Sequence, residues 1–168
     1  MTTMFQLKRI SKDGIPNALQ KAERYRLLNQ PWLAESICSD VLEVEPGNED
    51  AIVVLILAIT DQFGINTAFD LNKARQLVNQ LKDEYDRHYY QGIIAERQGI
   101  AALTMGRTND PFSAYEWLVE AQSHYERAEG HRPQGNCDAI LRWNTCARLI
   151  MDRHLEPRQE DLAELPLE

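Results

Sequence analysis

Little in this sequence points to secretion, a membrane or a nucleic acid. Its cysteines are only three, Cys38, Cys137 and Cys146, an odd number without paired close spacing. That pattern suits a reducing compartment and argues against a disulfide scaffold. No apolar run follows Lys8 and Arg9, so a secretory signal peptide is not expected. The longest apolar run, residues 51–59, falls well short of the ~20 residues a membrane-spanning helix needs. Basic charge is scarce too, with 18 Lys and Arg against 26 Asp and Glu and a formal net charge of −8. An acidic chain lacks the general attraction to phosphate that nucleic-acid binders rely on, and an anionic membrane surface repels it. The expectation is a cytoplasmic protein with neither nucleic acid nor membrane as partner.

What is present suits one folded domain. The 168 residues are 43% hydrophobic and 26% charged, which is enough to bury a core without disulfides or metal. Half of the acidic excess sits from Leu155 onward, where Glu156, Glu160, Asp161, Glu164 and Glu168 face one base, Arg158. We therefore expect an extension over residues 1–14, a helical domain over 15–154 and a disordered acidic tail over 155–168.

Apolar spacing and stop signals predict seven helices. The first runs over about 15–29, with Ser11 or Asp13 as cap. Pro31 opens the second, which stops at Glu45-Pro46-Gly47-Asn48; so short a turn makes the two an antiparallel hairpin. The third, from Glu49 to about Phe63, is apolar nearly all round and should be covered on several sides. A fourth is expected from after a loop at 64–70 to about Tyr85, and a fifth over 87–104. Asp110-Pro111 supplies cap and first-turn proline for a sixth helix ending near Glu129, and a seventh runs from about Cys137 to His154. Gly92, Gly99 and Gly106, seven apart, suggest a seam where helices approach closely.

Two stretches of the chain match across the same kind of turn. Ala34, Cys38, Val41 and Pro46 have the spacing of Ala121, Tyr125, Ala128 and Pro133, and Gly47-Asn48 through Ile52 parallels Gly135-Asn136 through Ile140. This resembles the tetratricopeptide repeat family, whose second helix carries a small residue, an aromatic, a small residue and a terminating proline. Ala22 and Tyr25 fit the small and aromatic positions of its first helix. Lys21 and Ala18 depart from the family's leucine and tryptophan, and Cys38 and Val41 from its aromatic and alanine. The resemblance implies an all-α fold: a right-handed superhelix of antiparallel helix hairpins, about three pairs plus a C-terminal capping helix.

Such an array holds a peptide or a partner helix in a groove lined by the first helix of each pair. Mapping by spacing places Glu23, Arg26, Tyr89, Tyr90, Arg97 and Arg142 there, together with Leu19, Val53, Leu57, Asp61, Ile93 and Leu141. Tyr and Arg combine contact area with directed hydrogen bonds, though the same tyrosines could equally pack between repeats. The basic clamp that some relatives use for a C-terminal carboxylate is not expected, because Leu19, Glu23 and Val54 occupy its places. No cofactor is expected. His88, His124, His131 and His154 lack metal-ligand spacing on one helix, and a pairing of His131 with Cys137 offers too few ligands. No nucleophile with its base, no carboxylate pair beyond ordinary helix-face pairs such as Glu116 and Glu120, and no phosphate loop marks an enzyme. The expectation is a non-enzymatic module binding a protein or peptide. The alternatives are a secretion-type chaperone for an apolar segment and a self-associating, homodimeric structural subunit.

Overall fold

The computed structural model describes residues 5–64, 67–104 and 110–159. Among these lie seven α-helices and no strand: α1 Ile15–Leu27, α2 Pro31–Val44, α3 Glu49–Asp61, α4 Thr67–Val78, α5 Glu84–Thr104, α6 Pro111–Glu129 and α7 Asp138–Asp152. They fall into two compact units, residues 1–62 with α1 to α3 and residues 63–168 with α4 to α7.

In the first unit, α1 begins differently from expectation. A 3-10 turn, Lys12–Gly14, leads into the helix, and neither Ser11 nor Asp13 caps it with a side chain. The far end of α1 is a Schellman motif, with Asn29 in the left-handed region at φ 58°, Asn29 N–H donating to Arg26 O and Gln30 N–H to Tyr25 O. Asparagine tolerates that conformation better than most side chains. Pro31 then starts α2. Asn48 caps α3, its Oδ1 accepting from Ala51 N–H at 2.8 Å. As its all-round apolarity predicts, α3 buries eight of its residues, from Ala51 to Thr60. Ile15, Val41 and Ala51 pack together where the three helices meet, with Leu19, Leu42 and Val44 beside them.

In the second unit, α5 and α6 form a closely packed antiparallel hairpin. A methyl group on Gly92 would stand 2.4 Å from the Tyr125 ring, and one on Gly99 3.0 Å from Leu118. These glycines therefore let the helices approach as their seven-residue spacing suggested; Gly106 lies outside the described residues. Asp110 caps α6 as expected, accepting from Ser113 N–H at 3.0 Å, with Pro111 in the first turn. Ala121, Tyr125 and Ala128, the repeat-like positions of α6, are all buried, in one cluster with Ala114, Leu118, Ala139 and Cys146.

The expected boundary between the fourth and fifth helices is corrected. α4 ends at Val78 and α5 starts at Glu84, because Asp83 acts as a helix cap: its Oδ1 accepts from Asp86 N–H at 3.1 Å. Arg87 closes the turn by donating to Leu81 O at 2.8 Å and Lys82 O at 2.7 Å.

Order also continues past the expected start of the tail. α7 ends in a second Schellman motif, His154 lying at φ 51° and Leu155 N–H donating to Ile150 O at 3.0 Å. This turns Leu155 back into the core of the second unit, where it is buried. Arg158 then reaches Glu116 at 2.8 Å and Asp110 at 3.3 Å, with its guanidinium over the Phe112 ring. Glu160, Asp161, Glu164 and Glu168 lie outside the described residues.

Candidate functional site

α5 and α7 of the second unit share one surface, and six of the expected groove residues, Tyr89, Tyr90, Ile93, Arg97, Leu141 and Arg142, sit on these two helices. Tyr89 stacks on Tyr85 with ring centroids 5.7 Å apart, meets Tyr90 edge-on at 5.2 Å and tilts against Tyr125 at 5.9 Å. Burial, with Asp86 nearby, pushes the Tyr90 hydroxyl up to about 12, so it is a neutral donor near pH 7. Arg97 lies half-buried on the same helix.

Arg142 of α7 is anchored from below. Its Nη1 donates to Glu96 Oε1 at 2.8 Å, and Glu96 is only 3% exposed. The second carboxylate oxygen accepts from the Tyr125 hydroxyl at 2.5 Å, and the Cys146 thiol lies 3.9 Å from it. An ionised carboxylate this deep is tolerable only when both oxygens are satisfied and a countercharge is near; Tyr125 and Arg142 meet those conditions. The network feeds back on its members. Burial first and the Glu96 charge second push the Cys146 thiol up to about 12, and the same two causes raise the Tyr125 hydroxyl far above its ordinary value. For Arg142 burial pulls downward, but the Glu96 carboxylate and a hydrogen bond with Tyr89 outweigh it and hold the guanidinium charged. Cys38 in the first unit is likewise pushed up to about 12 by burial. Neither buried thiol is a ready thiolate nucleophile near neutrality.

Above this network lies a shallow, open cleft of about 340 Å³ lined by Tyr89, Asp138, Leu141, Arg142 and Thr145. Leu141 stands 61% exposed. The cleft therefore offers an aromatic ring, an exposed aliphatic side chain, a fixed cation and polar groups at its edge. Sequence spacing found Tyr89, Leu141 and Arg142 but missed Asp138 and Thr145. It also missed Glu96, whose only signal is a lone acid between Ala95 and Arg97 on an otherwise buried helix face.

The remaining groove expectations divide. Ile93 is corrected: at 1% exposed it is core, because it lies on the buried face of α5. Arg26 and Asp61, both mapped to the groove, bond to each other at 2.8 Å within the first unit, and Glu23 is exposed on α1. The first unit has a cleft of its own, about 330 Å³, lined by Leu7, Lys8, Arg9, Ser39, Asp40 and Glu43. Elsewhere in the second unit Glu84, His88 and His131 each bring one possible metal-donor atom within 4.8 Å of the others. No helix among the described residues is long and apolar enough to cross a membrane. Compared with protein-family models, curated proteins and solved structures, the chain matches none.

Proposed function

We propose that this chain is a cytoplasmic protein-interaction module of tetratricopeptide-like construction, about three helix hairpins and a capping helix in a right-handed superhelix, which holds a peptide or helix of a partner protein and catalyses no reaction. The observation that carries this reading is the open cleft between Tyr89 on α5 and Leu141, Arg142 and Thr145 on α7. Its shallowness suits an extended segment laid across it better than an engulfed metabolite, since small-molecule pockets bury most of their ligand. The segment it suits presents an apolar side chain to Leu141 and Tyr89 and hydrogen-bonding groups to Thr145 and Asp138. Arg142, held in place by Glu96, reaches that segment with little entropy left to lose. The repeat-like packing of Ala121, Tyr125 and Ala128 in α6 supports the family reading.

The test is selection from a displayed library of random peptides on the purified chain, followed by titration of the winners against the native protein and Leu141→Glu. Leu141 is exposed, so its replacement leaves the core intact. We expect selected peptides to lose more than about tenfold in affinity on the variant, as loss of an interface anchor does. Peptides that bind both forms equally would place the interaction elsewhere.

Self-association is the second reading. It is favoured by Leu27, Leu28 and Trp32 at the α1–α2 turn, 87%, 61% and 60% exposed, a concentration of large apolar groups that soluble monomers seldom leave uncovered. Light scattering across a concentration series separates the two, because a monomer at high concentration excludes the dimer.

A further inference from the structure

A second site lies where the α5–α6 hairpin ends meet. Glu84 is in the first turn of α5, and His88 follows one helical turn later on the same face. His131 comes from the turn just after α6, which the antiparallel hairpin brings alongside. His131 Nε2 is 3.5 Å from Glu84 Oε1 and His88 Nε2 is 3.9 Å from the same oxygen. The two imidazoles lie nearly parallel, 19° apart in plane, with centroids separated by 5.8 Å. All three donor atoms fall within 4.8 Å of one another, so small side-chain rotations bring them to the roughly 2.0–2.2 Å bonds that zinc makes to nitrogen and oxygen.

We propose that Glu84, His88 and His131 form a binding site for a borderline divalent transition ion of the zinc class. Two imidazoles and one carboxylate are a donor set that zinc accepts in tetrahedral geometry with a water in the fourth position. Hard ions such as magnesium and calcium prefer oxygen donors alone. The carboxylate supplies the negative charge that makes a dication welcome. Two cations act on His88 from nearby, Arg87 and Arg127. Arg87 is already committed to the Leu81 and Lys82 carbonyls, and Arg127 is exposed to solvent at the end of α6, where water screens it. The surrounding turn is braced independently: the Tyr85 hydroxyl donates to Asn136 Oδ1 at 3.2 Å, and Arg132 to Asn136 O at 3.2 Å. Cys137 is not a member of the donor cluster, its sulfur lying 3.6 Å from the Arg132 guanidinium. Because the ligands come from both ends of the hairpin, a bound ion clips the start of α5 to the end of α6 and stabilises the folded form by mass action.

The experiment is calorimetric titration of zinc chloride into the chelator-treated full chain and its Glu84→Gln, His131→Ala and Cys137→Ser variants, with helicity checked by circular dichroism. Imidazole proton–nitrogen spectra of the native chain are recorded with zinc and with magnesium. We expect one zinc per chain, an affinity lowered more than about tenfold by Glu84→Gln and by His131→Ala and unchanged by Cys137→Ser, and shifts at His88 and His131 with zinc but not with magnesium. Absence of zinc binding, equal binding by the Glu84 and His131 variants, or its loss in Cys137→Ser would overturn the proposal. The spectra of the native chain decide the matter even where a variant is destabilised.

Discussion

Replacing Gly92 by alanine tests the closeness of the α5–α6 seam. The new methyl would stand 2.4 Å from Tyr125 Cε1, 2.6 Å from Cδ1 and 2.9 Å from Cζ, well inside van der Waals contact. Tyr125 has nowhere to retreat, being 1% exposed, bonded to Glu96 and packed against the Tyr89 ring. Overpacking of this kind costs about 1–3 kcal/mol. Displacing the ring also weakens a buried hydrogen bond to a carboxylate, worth about 1.5–3 kcal/mol. Against these stands the gain of about 1 kcal/mol in helix propensity when alanine replaces glycine. The net expectation is a loss of about 3 kcal/mol, or about 6–12 °C in melting temperature at 2–4 °C per kcal/mol for a chain of this size. Gly130→Ala is the control in the same unit, because its added methyl meets only the Arg127 carbonyl at 3.4 Å, an ordinary contact. Urea unfolding followed by tryptophan fluorescence suits the comparison, since Trp117 and Trp143 both pack against the α5–α7 core. A Gly92→Ala protein within about 1 kcal/mol of Gly130→Ala would refute the seam as described.

Other consequences can be checked with the same unfolding assay. Glu96→Gln removes the buried countercharge of Arg142 and an acceptor for Tyr125; we expect a loss of about 3 kcal/mol, and a near-neutral result would contradict the network. His154→Gly should stabilise the chain by about 1 kcal/mol, because His154 sits at φ 51°, where a side chain is strained and glycine is not. Burial lowers His124 below its ordinary value of 6.5, against the opposing pull of Glu120. In the range below about 6.5 the unfolded chain therefore binds a proton that the folded chain resists, so this contribution to stability is present near pH 7 and lost as the pH falls. His124→Gln should flatten that part of the pH profile, and an unchanged slope would remove His124 as its source.

The helices were legible where the signals are local. Pro31, Asp110-Pro111 and the apolar spacing of α2, α3 and α6 each act within a turn or two, and α2, α3 and α6 appear close to where they were expected. The α4–α5 boundary was missed because Asp83 looks like one more solvated acid until its carboxylate is seen to cap Asp86. Leu155 was assigned to the tail on composition, whereas a left-handed His154 folds it back into the core; chain reversals of that kind leave little trace in hydrophobic patterning. The surface of α5 and α7 was partly legible because Tyr89, Leu141 and Arg142 follow helical spacing. The buried role of Glu96 depends on three partners up to fifty residues away, which no local pattern encodes. The Glu84, His88 and His131 cluster joins a readable one-turn pair to a third member supplied only by hairpin closure.

The measurement that bears most directly on the proposed function is chemical-shift mapping of the isotope-labelled chain as a selected peptide is added. Saturable changes centred on Tyr89, Asp138, Leu141 and Thr145 are expected, absent from the Leu141→Glu protein. Changes centred instead on Leu27, Leu28 and Trp32, or no saturable change with any selected peptide, would contradict the proposed function.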